Sequence, residues 1–261
     1  MSYSTITSRQ NVLFKYILSL EKAKERKAEQ SFIIEGIKEI ELAIAGNYII
    51  DQIYYPEDIK GDYLNDSKYN GIEKIAFSRS LFNDICYRKD IDNLIAIAKM
   101  KSHDINEISL PKNPLIVVLE AIEKPGNIGA ILRTADAVGV DLIILCEMTT
   151  DLYNPNVVRN SLGCLFTNKI AVMSSLDAKD FLIKEKINIF TTYLHTENAH
   201  FSCNYKEKTA FVFGAEATGI SETWLSNEVT KIKIPMRGKI DSMNVSNSVA
   251  VLLYEALRQR L

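Results

Sequence analysis

Short apolar runs alternate with amphipathic stretches along the second half of the chain, and this pattern carries the fold prediction. The apolar runs predict strands at 115–120, 142–146, 169–173, 188–192, 209–214 and 231–234. Segments with helical spacing predict helices at 130–138, 157–163, 178–185, 221–227 and 245–260. Strands that alternate with helices are typical of a parallel sheet. We therefore predict an α/β fold for this part of the chain.

The first part of the chain shows the same pattern on a smaller scale. Val12, Tyr16 and Leu20 have helical spacing, which predicts an amphipathic helix capped by Thr7 or Ser8. Further elements are predicted as strands at 32–36, 49–55 and 94–98 and as helices at 37–44 and 78–90. These elements predict a second, small α/β domain.

A polar stretch at residues 101–114, which contains Pro111 and Pro114, separates the two parts. Proline is unfavourable inside helices and central strands, and polar segments that contain it are typical of domain boundaries. We therefore predict two domains, residues 1–105 and residues 106–261.

Composition narrows the class of protein without naming a function. With 47% hydrophobic and 25% charged residues, the chain is typical of a folded protein rather than a disordered or membrane protein. The net charge of −2 does not indicate a nucleic-acid binder, although residues 1–30 are locally basic. The N-terminal residues do not resemble a secretory signal, so we expect a cytoplasmic protein. The four cysteines form no C-x-x-C pair, and no metal site is predicted.

Three turns that follow predicted strands contain the residues with the clearest chemical potential. In a parallel sheet, ligands bind at the carboxyl ends of the strands. Glycine in such a turn permits close approach of a ligand, and a helix N-terminus favours an anion. The three turns contain, in chain order, Gly126, Asn127, Gly129 and Arg133; Gly214, Glu216 and Gly219; and Ser242, Asn244 and Ser246.

Other interpretations of these turns remain open when each is taken singly. A dinucleotide-binding turn is one, because Glu147 follows the next strand about 20 residues after the first glycines, where a ribose-binding acid is expected. The G-x-G-x-x-G spacing of that turn is missing. Each of the three turns also fits an ordinary capped turn without chemistry.

Taken together, the three turns resemble the three signature motifs of the SpoU (TrmH) family of RNA ribose 2′-O-methyltransferases in the SPOUT superfamily. The matching segments are Asn127-x-Gly129-Ala130-x-x-Arg133-Thr134-Ala135 with Gly139, Gly214-x-Glu216-x-x-Gly219, and Ile234-Pro235-Met236 with Ser242-Met243-Asn244-Val245-Ser246. The resemblance covers most of residues 115–261. The N-terminal part, with Ser8-x-x-Asn11, Arg26 and Phe32-x-x-Glu35-Gly36, resembles the small RNA-substrate-binding domain of rRNA-directed members.

Two positions depart from the family pattern. Lys124-Pro125 stands where the first motif often has Asp-Pro, and Met243 stands where leucine is usual. The first departure bears on the choice of RNA, since the turn before Asn127 is expected to face the substrate.

The resemblance implies a fold, a cofactor and an assembly. The fold is a parallel sheet with a deep trefoil knot, a feature that general topology rules make rare. The cofactor is S-adenosylmethionine, and the assembly is a homodimer that packs through the knotted domain. The resemblance assigns cofactor binding to Thr192, Gly214, Glu216, Gly219, Ile234, Met236, Met243, Asn244 and Ser246. It assigns catalysis to Arg133, with Asn127, Glu216, Ser242 and Asn244 completing the site.

A physical argument limits what Arg133 can do. A guanidinium is protonated at ordinary pH and has no acceptor to offer, so it is not expected to act as a base. We expect Arg133 to clamp the phosphate beside the target ribose and to stabilise the developing 2′-oxyanion. The phosphate or Glu216 would then accept the proton.

Basic residues are expected to contact RNA phosphates. The candidates are Arg9, Lys15, Lys22, Arg26, Lys27 and Arg159. A salt-bridged surface arginine is the alternative for Arg159. His195 and His200 follow a strand in a loop that could line the site, but neither has a metal-binding spacing, and solvent-exposed histidines are the favoured interpretation.

Methylation of a ribose needs an accessible nucleotide, which favours an unpaired loop. We expect the substrate to be large-subunit (23S) ribosomal RNA. A tRNA 2′-O-methyltransferase, a non-catalytic RNA-binding protein on the same scaffold, and an oxidoreductase on an ordinary Rossmann sheet are the alternatives.

Overall fold

A computed structural model describes residues 5–59, 63–87 and 93–261. Its strands are β1 Ser31–Glu35, β2 Ile50–Pro56, β3 Glu73–Phe77, β4 Ile95–Lys99, β5 Leu115–Glu120, β6 Leu142–Cys146, β7 Ile170–Met173, β8 Asn188–Thr192, β9 Thr209–Phe213 and β10 Val229–Ile232. Its α-helices are α1 Val12–Ser19, α2 Ala23–Glu29, α3 Ile37–Ala45, α4 Arg79–Ile85, α5 Pro125–Val138, α6 Pro155–Ser161, α7 Cys164–Thr167, α8 Ser175–Lys184 and α9 Val245–Arg260.

The chain divides into two compact units. The first unit contains Met1–Lys101 and Asp151–Thr167, and the second contains Ser102–Thr150 and Asn168–Leu261. The predicted boundary between residues 105 and 106 lies close to the point where the chain enters the second unit. The return of Asp151–Thr167, with α6 and α7, to the first unit is a finding that the sequence pattern did not indicate.

The first unit is built on a four-stranded sheet with the spatial order β1-β4-β2-β3. β4 runs antiparallel to both β1 and β2, whereas β2 and β3 are parallel. The sequence did not predict β3. The predicted helix at 78–90 ends at Ile85, and residues 88–90 lie outside the described residues.

The first helix corrects one expectation. α1 buries Phe14 and Ile17, whereas Val12, which was placed on the apolar stripe, is exposed. Asn11 caps the helix through a 2.8 Å hydrogen bond from the Leu13 N–H, in place of Thr7 or Ser8. Leu20 of the predicted stripe is also buried, so the buried face is rotated from the predicted one by about a quarter of a turn.

The second unit contains a six-stranded sheet with the order β10-β8-β9-β5-β6-β7, in which neighbouring strands are parallel. This confirms the predicted α/β parallel sheet. Numbered along the chain, its strands lie in the order 6-4-5-1-2-3, whereas a dinucleotide-binding sheet has the order 6-5-4-1-2-3. Glu147 accepts a 2.9 Å hydrogen bond from the Ser175 N–H at the start of α8. Both observations count against the Rossmann alternative.

Glu120, the last residue of β5, organises the core below the strand ends. Its side chain is 4% exposed. Its carboxylate accepts hydrogen bonds from Ser175 Oγ at 2.5 Å, from the N–H and Oγ of Ser221 at 2.7 Å, and from Trp224 Nε1 at 3.0 Å. A buried carboxylate needs such partners. Glu120 therefore fixes the start of α8 and the turn after β9 to the centre of the sheet.

Two predicted elements of this unit differ in extent. α5 begins at Pro125 rather than at residue 130, because Gly126 and Gly129 lie inside the helix and not in a turn before it. The predicted helix at 221–227 is a short 3-10 turn, Glu222–Leu225. Across the described residues, no helix combines the length and apolar character that crossing a membrane requires.

Candidate active site

A cavity of about 700 Å³ opens at the carboxyl ends of β8, β9 and β10 in the second unit. It lies where the sheet rule places ligands. The lining includes most of the predicted cofactor-binding and catalytic residues, namely Thr192, Gly214, Glu216, Gly219, Ile234, Met236, Ser242, Met243 and Asn244. The structure therefore brings together the second and third turns singled out in the sequence.

The turn after β9 owes its shape to two glycines. A Cβ atom on Gly214 would lie 2.2 Å from the carbonyl oxygen of Gly219, so no other residue fits at Gly214 without displacing the backbone. Gly219 has φ +71°, in the left-handed region that favours glycine. The Gly219 N–H donates a 2.9 Å hydrogen bond to the Ala215 carbonyl. The turn closes tightly and presents Glu216 near its tip.

Glu216 is the centre of a polar network at the rim of the cavity. Its Oε1 accepts hydrogen bonds from Asn127 Nδ2 at 2.8 Å and from Asn244 Nδ2 at 2.9 Å. Its Oε2 forms an ion pair with Lys124 Nζ. Asn127 and Asn244 also contact each other, with Asn244 Nδ2 3.2 Å from Asn127 Oδ1. One residue of each predicted motif therefore takes part in a single network.

Asn244 has a second role at the start of α9. Its Oδ1 accepts hydrogen bonds from the Ser246 N–H at 3.0 Å and from Ser246 Oγ at 2.6 Å, which caps the helix. Because the same amide donates to Glu216, the cap fixes the donor that holds the carboxylate. Ser246, a predicted cofactor ligand, lies outside the cavity lining and faces a groove described below.

The network defines the charge state of Glu216. The hydrogen-bonded ammonium of Lys124 lowers the pKa of the Glu216 carboxyl, with a further contribution from Asn127. A carboxylate with a lowered pKa is a weak base at neutral pH. The Lys124 pair therefore makes Glu216 a weaker proton acceptor for the 2′-hydroxyl than an unpaired glutamate would be.

Arg133 lies apart from the cavity lining. It is exposed on α5 and borders a groove of about 420 Å³ between α5 and α9, together with Thr134, Ser246, Ala250 and Tyr254. It lies six residues beyond Asn127, which corresponds to about 9 Å along the helix axis. Within the described part of the chain, no ion pair or hydrogen bond holds its guanidinium. Arg133 is therefore free to bind an incoming anion.

The predicted RNA-binding residues of the first unit fall into two groups. Lys15, Lys22 and Lys27 are exposed, and Arg9 is exposed although it pairs with Asp84 at 2.7 Å. These residues remain candidates for phosphate contacts.

Arg26 does not meet the expectation that it contacts RNA phosphates. Its side chain is 1% exposed, and its guanidinium donates to Asp151 and to the carbonyl oxygens of Leu20 and Glu21 at 2.7–2.8 Å. A buried guanidinium with these partners has no surface for a phosphate. Arg26 instead fixes Asp151 within the first unit.

Arg159 follows the structural alternative that the sequence left open. Its Nε lies 3.5 Å from Glu35 Oε2, and its guanidinium stacks over the Tyr87 ring at 4.6 Å. This favours the salt-bridged arginine over the phosphate ligand.

Several residues of the site were not among the predicted ones. Lys124, Lys233 and Asp241 line the cavity, and His195 does so as the loop prediction allowed. For Lys124 the sequence did hold a signal, namely the departure from Asp-Pro in the turn before Asn127. Lys233 and Asp241 carried no comparable signal.

Comparison with known proteins agrees with the motifs. Residues 114–254 match the family model for the SpoU rRNA Methylase family, and residues 11–96 match the MRM3-like substrate binding domain. The 23S rRNA (uridine(2479)-2′-O)-methyltransferase of Streptomyces viridochromogenes is 26% identical over 265 residues, covering 98% of this chain and 92% of the relative. A tRNA (guanosine(18)-2′-O)-methyltransferase of Thermus thermophilus is 39% identical over 160 residues, covering 60% of this chain and 81% of the relative.

A solved structure resembles the whole chain. It is the SpoU methyltransferase AviRb from Streptomyces viridochromogenes in complex with the cofactor AdoMet, with a TM-score of 0.87 and 26% identity, covering 96% of this chain and 98% of that one. The family model alone spans more than half of the 261 residues. The chain therefore belongs to the SpoU rRNA methylase family.

Proposed function

We propose that this protein is an S-adenosylmethionine-dependent RNA methyltransferase that transfers a methyl group to a ribose 2′-hydroxyl. The observation that carries the proposal is the network of Asn127, Glu216 and Asn244, which joins all three family motifs at the rim of one cavity. Within a member of the SpoU family, this placement supports methyl transfer better than binding alone.

The cavity fits the proposed cofactor. Its volume of about 700 Å³ lies in the range typical of small-molecule sites. Ile234, Met236 and Met243 supply apolar walls for an adenine, and the backbone at Gly214 permits close approach because that residue has no side chain. Bound S-adenosylmethionine supplies an electrophilic methyl group on a sulfonium centre.

The chain's own residues then position the ribose and stabilise the negative charge that develops on its 2′-oxygen. Asn127 and Asn244 hold the Glu216 carboxylate at the rim. Arg133 has five N–H donors in a rigid fork, which suits a phosphate and a developing 2′-oxyanion. Because the guanidinium cannot accept a proton, the RNA phosphate or Glu216 takes this role in our proposal.

Large-subunit ribosomal RNA is the proposed substrate. The relative that acts on 23S rRNA aligns with 98% of this chain, so the similarity includes the first unit. The tRNA-directed relative aligns with 60% of it. The MRM3-like substrate binding domain at residues 11–96 also supports RNA recognition by the first unit.

The proposal includes an assembly and a topology. The groove along α5 and α9 combines small side chains, such as Ala130 and Ala250, with the exposed ring of Tyr254. Such a surface suits a second copy of the chain, so we include a homodimer, together with the trefoil knot that the family resemblance implies. With ribosomal RNA as the substrate, we propose that the enzyme acts in the cytoplasm.

The proposal is tested by transfer of a labelled methyl group from S-adenosylmethionine to unmodified ribosomal and transfer RNA pools. We expect label in the ribosomal pool with the wild-type protein and a loss of at least about 100-fold in Arg133→Ala. Label in the transfer RNA pool alone would establish the tRNA alternative. No label in either pool, together with no cofactor binding by calorimetry, would support the non-catalytic RNA-binding alternative.

A further inference from the structure

Lys124 occupies an unusual position at the rim of the cavity. It immediately precedes α5, and its side chain makes no capping hydrogen bond to that helix. Its Nζ pairs with Glu216 Oε2, yet the side chain remains 67% exposed. The helix does not require a lysine here.

The ion pair of Lys124 is one that another anion can replace. Glu216 is 30% exposed, so water screens the pair, and exposed pairs of this kind contribute little to stability. Glu216 keeps two amide donors, from Asn127 and Asn244, when the ammonium leaves. Moving Lys124 to a new partner therefore leaves the carboxylate satisfied.

The space in front of Lys124 suits an anion. The position where a Cβ of Gly126 would lie has no atom within 4 Å, so the start of α5 is open. The first N–H groups of a helix lack partners inside the helix and favour negative charge. α5 has 14 residues and its first turn contains no acidic side chain. An ammonium and a helix N-terminus therefore meet the same open space.

We propose that Lys124 is a substrate-contacting residue of this chain, whose Nζ exchanges Glu216 for a backbone phosphate of the RNA near the target ribose. The inference rests on the proposed function and adds to it a specific residue outside the family pattern. In the RNA-free protein, the pair with Glu216 holds the ammonium at the rim, which reduces the ordering cost of the phosphate contact. No covalent step is involved.

The salt dependence of RNA binding tests this inference. Each phosphate contact contributes about 0.7 to 0.9 to the slope of log K against log salt concentration. We expect Lys124→Ala to reduce the slope by about this amount and to raise the KM for unmodified 23S rRNA roughly fivefold. The KM for S-adenosylmethionine should stay within about twofold. Lys124→Arg should restore the slope, because it keeps the charge.

Lys179 provides a matched control. It also pairs with a glutamate, Glu228 at 3.6 Å, but lies on α8 outside the cavity lining. Lys179→Ala should leave the slope unchanged.

Three results would overturn the inference. A wild-type slope in Lys124→Ala would leave Lys124 a structural partner of Glu216. A raised KM for S-adenosylmethionine with an unchanged slope would make it a cofactor-site residue. Absence of methyl transfer by the wild-type protein on both ribosomal and transfer RNA would overturn the proposed function and this inference together, so the two failures are distinguishable.

Discussion

Glu120 is the last residue of β5, Glu216 follows the neighbouring parallel strand β9, and the two carboxylates lie in different surroundings. Glu120 is buried, and its hydrogen bonds within the described residues come from neutral groups of the fold, namely Ser175, Ser221 and Trp224. Glu216 is partly exposed and is held by an ammonium and two amides at a cavity rim. A glutamate carboxylate therefore stabilises the fold at Glu120 and belongs to the candidate site at Glu216.

The donors explain the difference. The donors of Ser175 and Trp224 are buried and have no alternative partner, so losing their acceptor costs the full desolvation penalty. The donors at the rim can find water or a ligand instead. We therefore expect changes at Glu120 to affect stability and changes at Glu216 to affect activity.

Glu120→Ala should produce the largest effect on folding. It leaves the buried donors of Ser175 and Trp224 without their acceptor, and we expect the free energy of unfolding to fall by about 3 to 4 kcal/mol. Urea denaturation followed by tryptophan fluorescence measures it, since Trp224 is the only tryptophan. A loss below about 1 kcal/mol would show that water replaces the carboxylate, and it would contradict the proposed difference between Glu120 and Glu216.

Glu216→Ala should show the opposite behaviour. We expect kcat/KM for methyl transfer to fall about 100-fold, which corresponds to about 2.7 kcal/mol, because Asn127 and Asn244 lose their common acceptor at the rim. The free energy of unfolding should change by less than about 1 kcal/mol. Glu222→Ala, an exposed glutamate of the same unit, is the control and should alter neither quantity. Unchanged activity in Glu216→Ala would show that this network has no role in methyl transfer.

Asn244 both caps α9 and donates a hydrogen bond to Glu216, and two substitutions of this residue can separate the two roles. Asn244→Ala should cost about 1 kcal/mol of stability through loss of the helix cap, and roughly tenfold in activity. Asn244→Asp keeps the acceptor for the Ser246 N–H, so stability should remain near wild type while activity still falls. Thermal unfolding and methyl transfer measured on the same preparations distinguish the two. Equal stability losses in both variants would contradict the separation.

Glu255 on α9 extends the comparison to a glutamate paired with a cation outside the cavity. Hydrogen bonds from Arg258 and then Gln259 lower its pKa to about 2. Since the folded pKa lies below the unfolded one, this stabilisation is present above about pH 4.5 and is lost as pH falls toward 2. We expect Glu255→Gln to cost about 1 kcal/mol at pH 7, because Arg258 is exposed and screened. The difference should vanish near pH 2 in urea titrations, and methyl transfer should be unaffected; a constant difference across this range would contradict the assignment.

Much of the second unit was predictable because its strands are continuous apolar runs. The predicted strand 142–146 and helix 245–260 match β6 and α9, since buried parallel strands and a long amphipathic helix give strong local patterns. Gly126 and Gly129 misplaced the start of α5, because glycine indicates a turn unless the tertiary structure holds it in a helix. The grouping of Asp151–Thr167 with the first unit depends on contacts such as Arg26 to Asp151, which local patterns do not encode.

The site was predictable as three turns but not as a network. Sequence spacing identified Asn127, Glu216 and Asn244, while their mutual hydrogen bonds join positions up to 117 residues apart. The sequence marked Lys124 only as a departure from the Asp-Pro of the first family motif. Its ion pair with Glu216 became visible only in the folded structure. Arg26 looked like a surface cation because charge is visible in sequence, whereas burial by specific partners is not.

The most direct test of the account is the identity of the modified nucleoside. Unmodified 23S rRNA would be incubated with S-adenosylmethionine and either wild-type protein or Glu216→Ala, then digested and analysed by mass spectrometry. We predict one 2′-O-methylated nucleoside with the wild-type protein and a yield lowered about 100-fold with the variant. A methyl group on a base, or equal yields of the ribose-methylated product from both proteins, would contradict it.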